Sequence, residues 1–208
     1  ILQDDNDIHS NAVTVKGKYR KIHEFYDFHA SELKGLESSF QKIFSTSEQD
    51  FSRFDDLSNQ ADFDNAKKIL EKLDQLFTAI LAVLEQLPLL EVSVTNVLPQ
   101  KLDSVHEKYQ EMIKDGFIVS QMKVEEKTSQ MKKELAALQS QLKYLDIRGV
   151  NEKIQDIQSR ITDIFADFEE ERKAKEIYIS KQNSLVDSSF SVEKRYARMI
   201  NLLPKYQN

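Results

Sequence analysis

The side chains in this chain that could do chemistry are four histidines, many carboxylates and many serines. His9, His23, His29 and His106 could move protons or bind a metal, but no two of them stand four residues apart. A zinc site needs three or four convergent ligands, so solvated or edge-packed imidazoles are the better reading. Carboxylates crowd at Asp55-Asp56 and Glu169-Glu170-Glu171. Catalytic carboxylates must share a cleft, whereas neighbours along a helix diverge by about 100°. They read as a solvated face. The few scattered glycines form no G-x-G-x-x-G or G-x-x-x-x-G-K-[ST] phosphate loop, and no serine stands in a G-x-S-x-G turn. With no cysteine in the chain, thiolate and disulfide chemistry are excluded. Sequence reasoning therefore names no catalytic, cofactor-binding or metal-binding residue and expects neither an enzyme nor a cofactor.

What remains is a pattern of apolar residues that can only build helices. Between Ala61 and Gly116 the positions Ala66, Leu70, Leu73, Phe77, Ile80, Leu84 and Leu87 follow a 4, 3, 4, 3, 4, 3 spacing, which sets them on one helical stripe. The rhythm resumes with Leu98, Leu102, Val105, Tyr109 and Met112. Such a stripe calls for partner helices. Asp62 is placed to cap the helix that follows it. That helix is expected to run to about Leu87, where Pro88 disturbs it. Pro88 and Pro99 should each open a new helical piece, because proline is tolerated in a first turn. Asp115-Gly116 is a stop signal.

Upstream, Ile1 to Ser10 are polar and aperiodic, so a frayed or late helix start is expected there. Tyr19, Ile22, Tyr26 and Leu33 then share a face, and Gly35 is either a joint or an interior glycine. Leu36, Phe40, Ile43, Phe44, Phe51, Phe54 and Leu57 continue the apolar series. Ser45, Thr46 and Ser47 favour a local break, since their hydroxyls compete for backbone groups. Downstream, Met131, Leu135, Leu138, Leu142 and Leu145 predict one helix, with a joint at Arg148-Gly149. Val150, Ile154, Ile157, Ile161, Ile164 and Phe168 predict another. Its outer face places Glu169–Lys173 and Glu171–Lys175 as i,i+4 pairs. A polar patch after Ser184 suggests an interruption before a final short helix from Val192 to Leu203, ending before Pro204.

Composition agrees with this reading. The 208 residues include four glycines, three prolines and 31% charged side chains, with no strand-like alternation. The fold class is all-α: antiparallel helical bundles, with residues 1–115 expected to form a first repeat and 116–208 a second. A net charge of -6 argues against nucleic-acid binding. No apolar run reaches the roughly 18 to 20 residues that cross a bilayer. The chain opens at Ile1, so it is expected to be an internal piece of a longer protein whose anchor, if any, lies elsewhere.

Several short segments, in order, resemble one family. Phe51-x-x-Phe54-x-x-Leu57, ADFDNA (61–66), LPLL (87–90), LPQKL (98–102), YQEM (109–112), DGF (115–117) and IFADFEEE (164–171) are similar to steps of the septation ring formation regulator EzrA family of Gram-positive bacteria. Tyr19 and Leu33-Lys34-Gly35 match earlier family positions. Ala61 stands where a turn glycine is usual, and Glu107-Lys108 where a glycine is common. The resemblance implies elongated spectrin-like repeats that share long helices, on the cytoplasmic side of the membrane at the division septum, in a parent held by one N-terminal transmembrane helix. It also implies binding to the tubulin-like protein FtsZ and to other division proteins, with restraint of septal ring assembly.

Two readings thus compete outside catalysis. The first is a scaffold segment whose stripes make a stiff spacer. The second is a generic coiled coil or a helical bundle that binds membrane surfaces; membrane binding would need a basic face, and the longest basic cluster, Lys16 to Lys21, holds four cations.

Overall fold

The computed structural model describes residues 2–202, all of whose regular structure is helical. Helix α1 spans Leu2–Phe28, α2 Glu37–Asn59, α3 Phe63–Leu84, α4 Leu87–Val92, α5 Leu98–Lys114, α6 Val124–Leu142 and α7 Val150–Leu202. Short 3-10 turns at Lys34–Leu36 and Ser120–Met122 and a π-helical turn at Ser93–Val97 lie between them. The all-α expectation holds. Of the expectations at the chain ends, those at Ile1, Leu203 and Pro204 lie outside the described residues.

Two compact units emerge from the contacts. One comprises residues up to Asp103 together with Glu126–Ser159; the other comprises Ser104–Glu125 and the residues from Arg160 onward. In the first unit, Tyr26 stacks on Phe40, Tyr19 reaches Glu48, and Lys16 pairs with Asp55, so α1 and α2 run antiparallel. Helix α3 packs against both. Lys18 of α1 donates to Asp74 and Thr78 of α3, and Lys72 of α3 pairs with Asp50 of α2. The seven stripe residues from Ala66 to Leu87 are all buried, which is the interior that their spacing demanded.

Helix ends follow local chemistry. Asp62 accepts from the Asn65 amide at 3.3 Å and caps α3. Before it, the Ala61 amide donates to the Ser58 carbonyl and the Asp62 amide to that of Leu57, a Schellman closure with Ala61 at φ +58°. The same pair of bonds ends α5, where Gly116 sits at φ +73°. Pro88 lies in the first turn of α4 and Pro99 in the first turn of α5, as expected. The Leu98 amide reaches back five residues to the Ser93 carbonyl. Pro99 lacks an amide hydrogen and its ring crowds the carbonyl four residues earlier, and a widened π turn makes room for it.

Five local expectations differ from the structure. Helix α1 is formed from Leu2, because Ile8, Ala12 and Val15 continue the Tyr19–Ile22 stripe backwards and are buried. Ser45–Ser47 do not interrupt α2, which packs Phe44 and Phe54 on either side of them and buries Ser47. Packing overrides the hydroxyls' local preference. Helix α3 ends at Leu84, three residues before Leu87, since the carbonyl of Leu84 is the one that Pro88 leaves without a donor. Leu145 lies outside α6, in the turn that leads to α7, with φ +55°. Helix α7 continues through the polar SLVDSSF segment for 53 residues in all, about 80 Å at the usual rise. No glycine or proline occurs within it to stop it.

Candidate functional site

The side chains that the sequence offers for chemistry do not assemble. His9 and His106 are exposed. His23 meets Asp27 at 3.0 Å within α1 and lies on Phe44, while His29 meets Glu32 at 2.8 Å. Asp55 and Asp56 are exposed, as are Glu169 and Glu170. Among the described residues no three His, Asp or Glu side chains converge as metal ligands do. No single described helix is long and apolar enough to cross a membrane.

Polar groups are instead used to set helices against one another. Around Tyr19 of α1 the rings of Phe44 and Phe51 from α2 and Phe77 from α3 gather at 5.5 to 5.8 Å. The Tyr19 hydroxyl lies 3.2 Å from Glu48. Burial, reinforced by the Glu48 charge, pushes its pKa up to about 12, so the phenol stays a neutral donor. In the turn before α7, Arg148 grips Asp146 through two 2.8 Å bonds and holds that carboxyl well below the usual carboxylate range.

Two of the charged residues on stripe positions matter here: the sequence reading set one of them, Lys175, in an outer-face pair with Glu171, and passed over the other. Lys175 falls on the Ile161–Ile164–Phe168 register, two steps past Phe168. Within the second unit its ammonium donates to the Asp115 carbonyl at 2.7 Å and lies 4.0 Å from the Phe117 ring centre. It therefore caps the end of α5 rather than pairing with Glu171, and Arg172 rather than Lys173 takes Glu169. The other is Glu91, in the series Leu84, Leu87, Glu91, Val94, Leu98. It is 0% exposed, and neither carboxyl oxygen has a hydrogen-bond partner. For Glu91 the signal available was a charged residue on an otherwise apolar 3-4 spacing; Lys175 follows Glu171 on its register, where the sequence carries no such contrast.

The second half of α7 presents an uncovered surface. Continuing the Val150–Phe168 register gives Tyr178, Leu185, Val192, Tyr196 and Met199, and all five are exposed. Ile177, Ile179, Val186, Phe190 and Ile200 widen this apolar surface. The arrangement suits association between helices; it has no enclosed cleft for a small substrate.

A family profile described as "Septation ring formation regulator, EzrA" matches residues 1–203. The chain belongs to the EzrA family. Curated members of the EzrA family share this sequence at low identity. The Septation ring formation regulator EzrA of Listeria innocua is 25% identical over 127 residues, covering 61% of this chain and 22% of the relative. The proteins of the same name from Listeria monocytogenes (serotype 4a) and Listeria welshimeri are 22% and 23% identical over the same length and share of each chain. The match thus spans about a fifth of the curated EzrA relatives. No solved structure matches the chain significantly.

Proposed function

We propose that this chain is a non-catalytic scaffold segment of a bacterial cell-division regulator, one that modulates the position and frequency of septal ring assembly. The observation that carries the reading is the EzrA profile match over residues 1–203. The architecture supports it, because the buried apolar residues lie on helix-to-helix stripes and many polar groups serve as caps and lateral ion pairs. In this reading the helices form spectrin-like repeats, with a first over residues 1–115 and a second over 116–208. They act as a spacer on the cytoplasmic face of the membrane at the septum. FtsZ is the partner, alongside other division proteins.

The test is co-sedimentation of the chain with FtsZ polymers, run beside the intact parent protein. Pelleting of both supports contact through this segment. Pelleting of the parent alone assigns the contact to another part of it and leaves this segment the role of spacer. Failure of both removes the FtsZ reading. Liposome co-sedimentation separates the alternative, a membrane-surface bundle: a scaffold segment stays in the supernatant.

A further inference from the structure

Glu91 takes part in no cap or ion pair of the scaffold, and its surroundings are unusual for a carboxylate. It lies on α4 immediately before the π turn, with both oxygens buried and unpartnered. Gly35, in the 3-10 turn between α1 and α2, abuts it so closely that a Cβ there would run into Glu91 Oε1, and Glu91 Cδ would lie 3.1 Å away. The same position would meet Thr95 Cγ2 at 3.7 Å. The π turn beside it is braced by two side chains that bond back to carbonyls, Ser93 to Leu89 at 2.7 Å and Thr95 to Glu91 at 2.8 Å. The backbone at this joint is therefore held by hydroxyls, while the one ionisable group inside it is held by nothing.

The charges near Glu91 are few. Gly35 and Thr95 bring none. Lys34 precedes Gly35, Glu37 follows it by two residues, and both are exposed. Lys143, in the turn after α6, is also exposed; it is the cation whose field reaches the carboxyl, and that turn is tied down by Ser39 donating to the Lys143 carbonyl at 2.8 Å. Burial raises the carboxyl above its ordinary range, and Lys143 draws it down by a smaller amount.

We propose that Glu91 is a proton-operated latch at the joint between the Lys34–Leu36 turn and α4: protonated, it is accepted against Gly35, and ionised, it drives the turn off the helix. An unpaired buried carboxylate is unfavourable, whereas the neutral acid can remain in an apolar contact. The sign follows from linkage. The folded state holds the proton more tightly than the unfolded chain, so the latch's contribution is complete below the unfolded glutamate's titration. It is lost as pH rises through the folded one.

The direct test is a carbon-detected NMR titration of the Glu91 carboxyl in the unaltered 208-residue chain. The latch requires an inflection displaced upward from that of exposed glutamates, with amide protection of Lys34–Leu36 falling through the same inflection. An ordinary inflection, or a displaced one with unchanged protection at the turn, overturns it. Urea unfolding of the chain and of Glu91→Gln at pH 5 and pH 8 gives a second measure. The unfolding constant of the unaltered chain is expected to rise between these pH values by about tenfold more than that of the variant. Equal pH dependence in the two proteins counts against the latch.

Discussion

Ala61 and Gly116 close two helices through the same pair of backbone bonds, at φ +58° and +73°. Only glycine occupies that left-handed region without a Cβ penalty of about 1 kcal/mol or more. Ala61→Gly is therefore expected to stabilise the chain by about 1 kcal/mol, and Gly116→Ala to destabilise it by a similar amount, read from urea midpoints. At Gly35 the constraint is contact rather than dihedral angle, because the adjoining atoms belong to the buried Glu91. Gly35→Ala should cost about 1 to 3 kcal/mol through overpacking. Adding Glu91→Ala should return part of that loss, since it removes the obstructing carboxyl. A double-mutant cycle measures this coupling, and strict additivity of the two changes would contradict the contact.

Among elements, α3 is the one on which the first bundle depends. It packs against both α1 and α2, and Phe77 at its middle is fully buried beside Tyr19 and Phe51. Phe77→Ala is expected to cost about 3 to 5 kcal/mol. A circular dichroism melt that matches the unaltered chain would argue that Phe77 does not lie in the core. Ser45–Ser47 resemble a helix break when taken alone, yet Phe40, Phe44 and Phe54 bury one continuous face across them. Burying each large apolar side chain gains about 1.5 to 3 kcal/mol, against tenths of a kcal/mol for a serine's helix propensity.

At the scale of the molecule, the long α7 helix divides into a half with a core and a half without one. Up to Phe168 its stripe is buried, whereas from Ile177 to Asn201 every residue is exposed. A chain ending at Glu176 is expected to unfold at the same urea concentration as the full chain, because Ile177 to Asn201 are all exposed. A lower midpoint would show that the distal half contributes contacts. The EzrA relatives extend far beyond the matched stretch, so this half is where a scaffold reading and a surface-binding reading make different demands. FtsZ polymers and liposomes are the two probes that distinguish them.

Fold class and most of the interior were legible in the order of residues alone. A 3-4 spacing of apolar side chains is a property of the chain alone, and Ala66 through Leu87 and Val150 through Phe168 went where it said. Asp62 and Gly116, like Pro88 and Pro99, act within a turn of their own position, so helix boundaries there were legible too. Tertiary structure decided whatever depends on residues distant in sequence. Only packing shows that Glu91 is sealed against Gly35 and that Lys175 reaches the end of α5. Periodicity tells which face of a helix is apolar; it carries no information on which neighbour, if any, covers that face.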